Sequence, residues 1–264
     1  VGDKKQRQQR IIELLEQGGK AETAALAVQL GVTELTIRRD IDQLDQQGIV
    51  RRVYGGAVLN SGRSFEPPFA IRMKSNVEGK KAIAAAAVDL IPRGANIGID
   101  FGTKAYYVAL EMRRRHLQVL AAPTSVQVME VLGRDSDIRV LAPGGELKPG
   151  ELSLRGSAAE QFFREHRWDV ALVGVAGINA EANVMSDYDE TDARLKAAMA
   201  STADRVIVLA ESRHLGVMSF APVGPLDDVS VVITDARGEN ETLTALEQRG
   251  IEVIRALGDD EARA

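Results

Sequence analysis

The sequence predicts an α/β chain in two parts: a small N-terminal winged helix-turn-helix, then a larger domain built on a mostly parallel sheet. Three observations predict it. Residues 31–57 read GVTELTIRRDIDQLDQQGIVRRVYGGA, which is a turn, a short helix with paired arginines and a basic hairpin. From residue 77 onward, short apolar runs alternate with helical patterns. Between them, residues 59–76 hold Asn60-Ser61-Gly62 and Pro67-Pro68, which interrupt regular structure. The expected domains are 1–58 and 77–258, with a linker at 59–76 and a polar tail at 259–264.

In the first part, residues 7–17 form an amphipathic helix with Ile11, Leu14 and Leu15 inward. Residues 22–30 form a second, with Leu26, Ala27 and Leu30 inward, and Gly31 closes it. Thr33 is placed to cap the third helix, where Ile37, Ile41 and Leu44 share one side. At 100° per residue the opposite side carries Leu35, Arg39 and Gln46, flanked by Thr36, Arg38 and Gln43. A recognition helix presents such a face to base edges. Arginine bonds guanine or grips phosphate, and spacing alone leaves both open; Leu35 suits a thymine methyl. Gln47-Gly48 ends the helix. Residues 49–57 then alternate apolar positions around Arg51 and Arg52, a two-stranded wing with its cations near phosphates. The blander reading is a three-helix interaction module with solvated arginines. The wing and two arginine pairs together favour double-stranded DNA as partner, met by Thr33, Leu35, Thr36, Arg38, Arg39, Gln43, Arg51 and Arg52.

Composition narrows the class. Of 264 residues, 45% are hydrophobic and 27% charged, an ordinary globular balance. No apolar run is long enough for a membrane span, and the charged N-terminus lacks a signal-peptide core, so a cytoplasmic location is expected. Zero cysteines exclude disulfides and thiolate metal sites. His116, His166 and His214 are scattered, so no metal and no cofactor is expected. Net charge is −5, but residues 1–58 hold nine Lys/Arg against eight Asp/Glu, and the rest 24 against 30. Basicity is therefore local. Firm DNA binding then calls for two copies reinforcing each other, in a homodimer or homotetramer.

In the second part, helices are expected at 78–91, 103–114, 125–133, 157–165, 190–203 and 240–248. Strands are expected at 95–100, 117–121, 138–141, 168–175, 205–210, 229–234 and 252–254, with a hairpin near 146–156. Sites in such folds lie at the carboxyl ends of strands. Asp100-Phe101-Gly102-Thr103-Lys104 sits at one, where a helix N-terminus, a hydroxyl and an amine suit an anion. A plain strand-to-helix turn accounts for it equally well. Thr124 and Ser125 sit at another and read as ligand hydroxyls or as simple caps. Gly144 and Gly145 permit close backbone approach or a tight turn. Asp187, Glu190 and Lys196 could hold sugar hydroxyls, or form an acidic helix start with an exposed lysine.

TIRRDIDQL followed by GIVRRVYGGA resembles the N-terminal signature of the DeoR family of bacterial sugar-metabolism repressors, and the similarity runs down nearly the whole chain. The resemblance implies a winged helix on operator DNA. It also implies a C-terminal domain similar to ribose-5-phosphate isomerase that binds a phosphorylated sugar or related metabolite. It carries Asp100, Gly102, Thr103, Thr124, Ser125, Asp187, Glu190 and Lys196 over as effector contacts, with Arg72 and Lys80 matching a basic pattern, while Gly144 and Gly145 join the expected contacts on their backbone freedom alone. Three positions depart from the pattern. Lys104 stands where the family usually has a small hydroxyl residue, and Glu211 and His214 stand where members commonly show aspartate and lysine.

Together these readings predict a transcriptional regulator, a repressor of a carbohydrate catabolic operon released by a small anionic sugar, with no catalytic residues. The alternative is a sugar-phosphate isomerase with an appended DNA-binding domain, using Glu190 and Lys196 for proton transfer. A third reading has the second domain sense a partner protein.

Overall fold

The computed structural model describes residues 4–46, 48–60 and 62–256. The tail expected over 259–264 lies outside these residues, as do Gln47 at the expected helix end and Ser61 in the expected linker. Contacts divide the chain into two units, Val1–Ser75 and Asn76–Ala264.

The first unit runs α1 (Lys4–Gly18), β1 (Lys20–Glu22), α2 (Thr23–Leu30), α3 (Glu34–Gln46), β2 (Val50–Val53), β3 (Gly56–Leu59) and α4 (Phe69–Arg72). Its core is Ile11, Ile12, Leu15, Leu26, Ile37, Ile41, Leu44, Ile49 and Ala57, all buried. This is the helical periodicity of three short helices closed by the wing. The second helix begins one residue later than expected, at Thr23. Glu22 is extended there, and Lys20–Glu22 instead pair with β3, making a three-stranded wing in the order β1-β3-β2. A side chain at Gly56 would collide with the Ala21 carbonyl, so only glycine lets these strands approach. The segment expected to be a linker is packed. Phe65 and Ile71 lie against the first unit's core because they are apolar, and α4 forms a short turn of helix.

The second unit runs α5 (Val77–Asp89), β4 (Asn96–Ile99), α6 (Thr103–Arg114), β5 (Val119–Pro123), α7 (Val126–Leu132), β6 (Ile138–Val140), β7 (Glu146–Lys148), β8 (Ser153–Arg155) and α8 (Ser157–Arg164). It continues β9 (Trp168–Gly174), β10 (Gly177–Asn179), β11 (Val184–Asp187), α9 (Glu190–Ala200), β12 (Ala203–Ala210), β13 (Ala221–Pro225), β14 (Val231–Thr234), α10 (Glu241–Gln248) and β15 (Glu252–Arg255). Seven strands form one parallel sheet in the order β15-β14-β12-β9-β4-β5-β6. Both faces are covered. Ile83, Val108, Met112 and Leu132 pack on one side, Phe163, Leu195, Met199 and Leu246 on the other. That is why the strands read as continuous apolar runs. The order reverses between β4 and β9, so the crevice of such a sheet falls at the ends of these two strands. A smaller antiparallel sheet, β10-β11-β13, went unpredicted; its strands are three to five residues long and mixed in polarity.

Candidate functional site

On α3 the apolar stripe turns inward and leaves Leu35 58% exposed, with Arg38 and Arg39 in solvent. Thr33 caps the helix, accepting the Thr36 N–H at 3.3 Å, while the two hydroxyls lie 3.0 Å apart. The four expected arginines are not equivalent. Arg38 pairs with Glu34 at 3.1 Å and Arg52 with Asp42 at 2.5 Å. Among the described residues, Arg39 and Arg51 have no ion pair. Gln43 is not on the outer face. It is half-buried and accepts a bond from Gln8 at 2.9 Å, because α1 covers that flank of α3. On the same flank Asp40 is buried and bonded to Arg7 at 2.5 Å.

In the second unit the switch point between β4 and β9 holds a charged knot. Asp100 directly follows β4, and its Oδ2 accepts the Gly174 N–H from the end of β9 at 2.9 Å. Lys196, from α9, donates to Asp100 at 2.5 Å and to the Gly174 carbonyl at 2.8 Å, with Asp187 3.0 Å away. All three charged side chains are buried. Burial works to lower the Lys196 pKa, but Asp100 and Asp187 overcome it and hold the ammonium well above its usual range. The Phe101 ring receives the same ammonium 4.4 Å from its centroid, and Lys148 at 5.7 Å.

Lys148 belongs to the β7–β8 hairpin and pairs with buried Asp192 at 2.5 Å. The hairpin is stitched to the end of β5, where the Leu154 N–H donates to the Thr124 carbonyl at 2.7 Å. Gly144 and Gly145 lead into it with left-handed backbones, Gly145 lying against the Arg155 carbonyl. Five buried polar atoms in this neighbourhood have no hydrogen-bond partner: Asp100 Oδ1, Thr124 Oγ1, Ser153 Oγ, Arg155 Nε and Asp192 Oδ1. Buried polar groups are almost always bonded, so such a concentration makes this neighbourhood the candidate ligand site. Burial raises the Asp192 pKa, while Lys148 opposes the shift.

Alongside, Gly102 takes φ 98°, a backbone that glycine alone tolerates well, and opens α6 so that Thr103 is buried at its first turn. A second cluster gathers at Glu211, which follows β12. Asn76 donates to it at 2.9 Å, Arg213 at 3.1 Å, and Lys80, wholly buried, lies 3.9 Å away. Burial disfavours the Glu211 anion, yet Lys104, Arg213, Lys80 and His214 together bring its carboxyl down to about 2.

The fold thus brings Asp100, Gly102, Thr103, Lys104, Thr124, Asp187 and Lys196 to the carboxyl ends of strands, with Lys80 and His214 beside them. Three expected residues are placed differently. Arg72 lies in the first unit, held by Glu66 at 2.9 Å and the Pro67 carbonyl at 2.7 Å. Glu190 is exposed and pairs with Arg194 one helical turn on, since it faces away from the sheet. Ser125 spends its hydroxyl on capping α7 and on Gln127. Sequence reasoning missed Lys148, Ser153, Arg155 and Asp192. Asp192 was findable, since it lies four residues before Lys196 and so shares its helix face.

A helix that presents Arg38 and Arg39 to solvent beside a three-stranded wing, joined to a parallel-sheet unit with buried polar atoms that lack hydrogen bonds, defines a ligand-responsive DNA-binding regulator. The chain matches the DeoR-like helix-turn-helix domain over residues 7–63 and the DeoR C terminal sensor domain over residues 75–236, and it belongs to the DeoR family. It is 32% identical over 248 residues to the HTH-type transcriptional regulator YulB of Bacillus subtilis (strain 168), covering 94% of this chain and 95% of that one. It is 30% identical over 231 residues to the glycerol-3-phosphate regulon repressor of Escherichia coli (strain K12), covering 88% and 90%. The transcriptional repressor AccR of Agrobacterium fabrum is also 30% identical, with 87% and 89% covered. Among solved structures it is similar to ribose 5-phosphate isomerase A from Methanocaldococcus jannaschii, at 19% identity, 53% and 55% coverage and a TM-score of 0.40.

Proposed function

We propose that this regulator represses a carbohydrate catabolic operon and leaves its operator when a phosphorylated or other anionic sugar binds the second unit. The observation that carries this reading is the group of five buried polar atoms without a hydrogen bond around the end of β5 and the switch point. Hydroxyls of a sugar would supply donors to Asp100, Asp192, Thr124 and Ser153 and an acceptor to Arg155. The anionic group would sit at the start of α6, where Gly102 and Thr103 open the helix and Lys104 follows. Charge counting supports this division. Asp100, Asp187 and Asp192 face Lys196, Lys148 and Arg155, and Arg155 also serves Glu146 and Asp189, leaving no cation surplus in the pocket for a phosphate. The names of two relatives as repressors, one of a glycerol-3-phosphate regulon, support repression and a phosphorylated ligand.

Release follows by linkage. A sugar that binds one arrangement of a homodimer or homotetramer more tightly shifts the population toward it, and that arrangement no longer spaces the two α3 helices for the operator. The test is a thermal-shift screen of the full chain against phosphorylated sugars, their neutral parents and other sugar acids, followed by competition with bound duplex DNA. One anionic sugar that both stabilises the protein and releases DNA supports the reading. Stabilisation by no anionic sugar refutes it.

A further inference from the structure

His116 takes φ 49°, the left-handed position just past the end of α6. Its N–H and that of Leu117 bond back to the Arg113 and Met112 carbonyls, at 3.1 Å each. Glycine or asparagine usually fills such a helix stop. Here it is a histidine whose side chain is 75% exposed, beside the turn that joins α7 to β6.

That turn carries Asp135 and Asp137. Asp135 Oδ1 accepts the Asp137 N–H at 3.0 Å, which spends one of its oxygens within the turn. The Asp135 side chain is 6% exposed, and its other oxygen, Oδ2, is buried without a hydrogen bond. His116 Nδ1 lies 3.2 Å from Oδ2, yet the ring makes no hydrogen bond to it. At that distance the fault is one of direction, so the two atoms face a common point and not each other. One ligand atom from each of His116, Asp135 and Asp137 lies within 4.8 Å of the other two. A buried carboxylate oxygen left unbonded is costly, and a cation at that common point would remove the cost.

We propose that His116, Asp135 and Asp137 bind a divalent transition-metal ion, zinc by preference, with water as its fourth ligand. Zinc bonds imidazole nitrogen and carboxylate oxygen at about 2.0–2.2 Å, so its ligands stand roughly 3.4 Å apart. His116 and Asp135 already have nearly that spacing, and exposed Asp137 closes on them by turning its side chain. The imidazole selects against magnesium and calcium, which take oxygen ligands. The ion joins the end of α6 to the turn before β6, the edge strand of the parallel sheet. Both segments precede the strands they lead into, β5 and β6, whereas Asp100 and Thr124 follow β4 and β5. The metal therefore sits at the opposite end of the sheet from the proposed sugar site and is a second ligand that stabilises the second unit. Scattered histidines pointed away from a metal in the sequence, because the two acids that complete the set come from a separate turn.

The full chain, untagged and stripped with chelator, is titrated by calorimetry with zinc chloride, and separately with manganese and magnesium chlorides. His116→Asn and Asp137→Asn are titrated in parallel. Asparagine suits the left-handed backbone at 116, so His116→Asn should melt like the native chain without metal. The native chain is expected to bind one zinc ion per chain, more tightly than manganese and far more tightly than magnesium. Each variant should bind zinc at least about tenfold more weakly, and zinc should raise the melting temperature of the native chain much more than that of His116→Asn. No saturable binding of zinc by the native chain overturns the proposal. So does zinc binding that His116→Asn and Asp137→Asn both retain within about twofold, which means an adventitious ion only. If Asp137→Asn melts early, His116→Asn decides alone.

Discussion

Arg7 Nε donates to Asp40 Oδ2 at 2.5 Å, joining α1 to the inner flank of α3, with side-chain exposures of 14% and 2%. Asp40 follows the two arginines of α3 directly, so the residue that fixes the helix is adjacent to those it presents. Burial leaves this pair poorly screened, and removing one partner strands the other's charge. Asp40→Ala is expected to destabilise the first unit by about 3 kcal/mol, at the lower end because Arg7 keeps some solvent. Hydrogen exchange on the full chain should show α1 and α3 amides opening sooner, with the parallel sheet unchanged. Unchanged protection in α3 would mean the pair does not position it.

Arg39 and Arg38 are neighbours with different prospects. Arg38 is engaged by Glu34, whereas Arg39 has no ion pair among the described residues. Arg39→Ala should weaken duplex binding and lower the salt slope by about one, and Arg38→Ala should do less. The ligand-induced thermal shift of the second unit should persist in both variants. Loss of that shift together with DNA binding would contradict a division of labour between the units.

The helices and parallel strands were legible because each carries its own period. Ile37, Ile41 and Leu44 mark a helix, and the apolar runs of β9 and β14 mark strands buried on both faces. What stayed hidden depends on long-range pairing. Nothing local marks Lys20–Glu22 as a strand until β3 arrives beside it. Arg72 looked like a sensor residue by position, but its partners Glu66 and Pro67 keep it in the first unit. Lys148 meets Asp192 from 44 residues away, which no spacing rule detects. Glu190 and Asp192 differ by two residues, and on a helix that turns one to solvent and the other inward.

Lys196 compensates two buried carboxylates at once, Asp100 and Asp187. Lys196→Met removes the ammonium and leaves both acids in a low-dielectric site, at an expected cost of about 3–5 kcal/mol. Adding Asp100→Asn should recover part of that loss, because one of the stranded charges is then gone. Urea midpoints of the two variants test this. A double variant no more stable than Lys196→Met would show that the knot is held by packing around Phe101 instead.

Glu211 links the sensor unit's stability to pH. Its carboxyl is held at about 2 in the folded chain by Lys104, Arg213, Lys80 and His214 against the cost of burial, below the ordinary value of 4.5. A depressed acid contributes fully above its unfolded pKa and loses that contribution as pH falls through the folded one. Glu211→Gln should therefore be less stable than native near pH 7, and the gap should close as pH drops from about 5 to about 2. Denaturant midpoints of both proteins across that window give the answer. A gap that stays constant would locate the loss in hydrogen bonding with Asn76, which glutamine disturbs at any pH, and not in the charge that gathers Lys80 and Lys104 around the site.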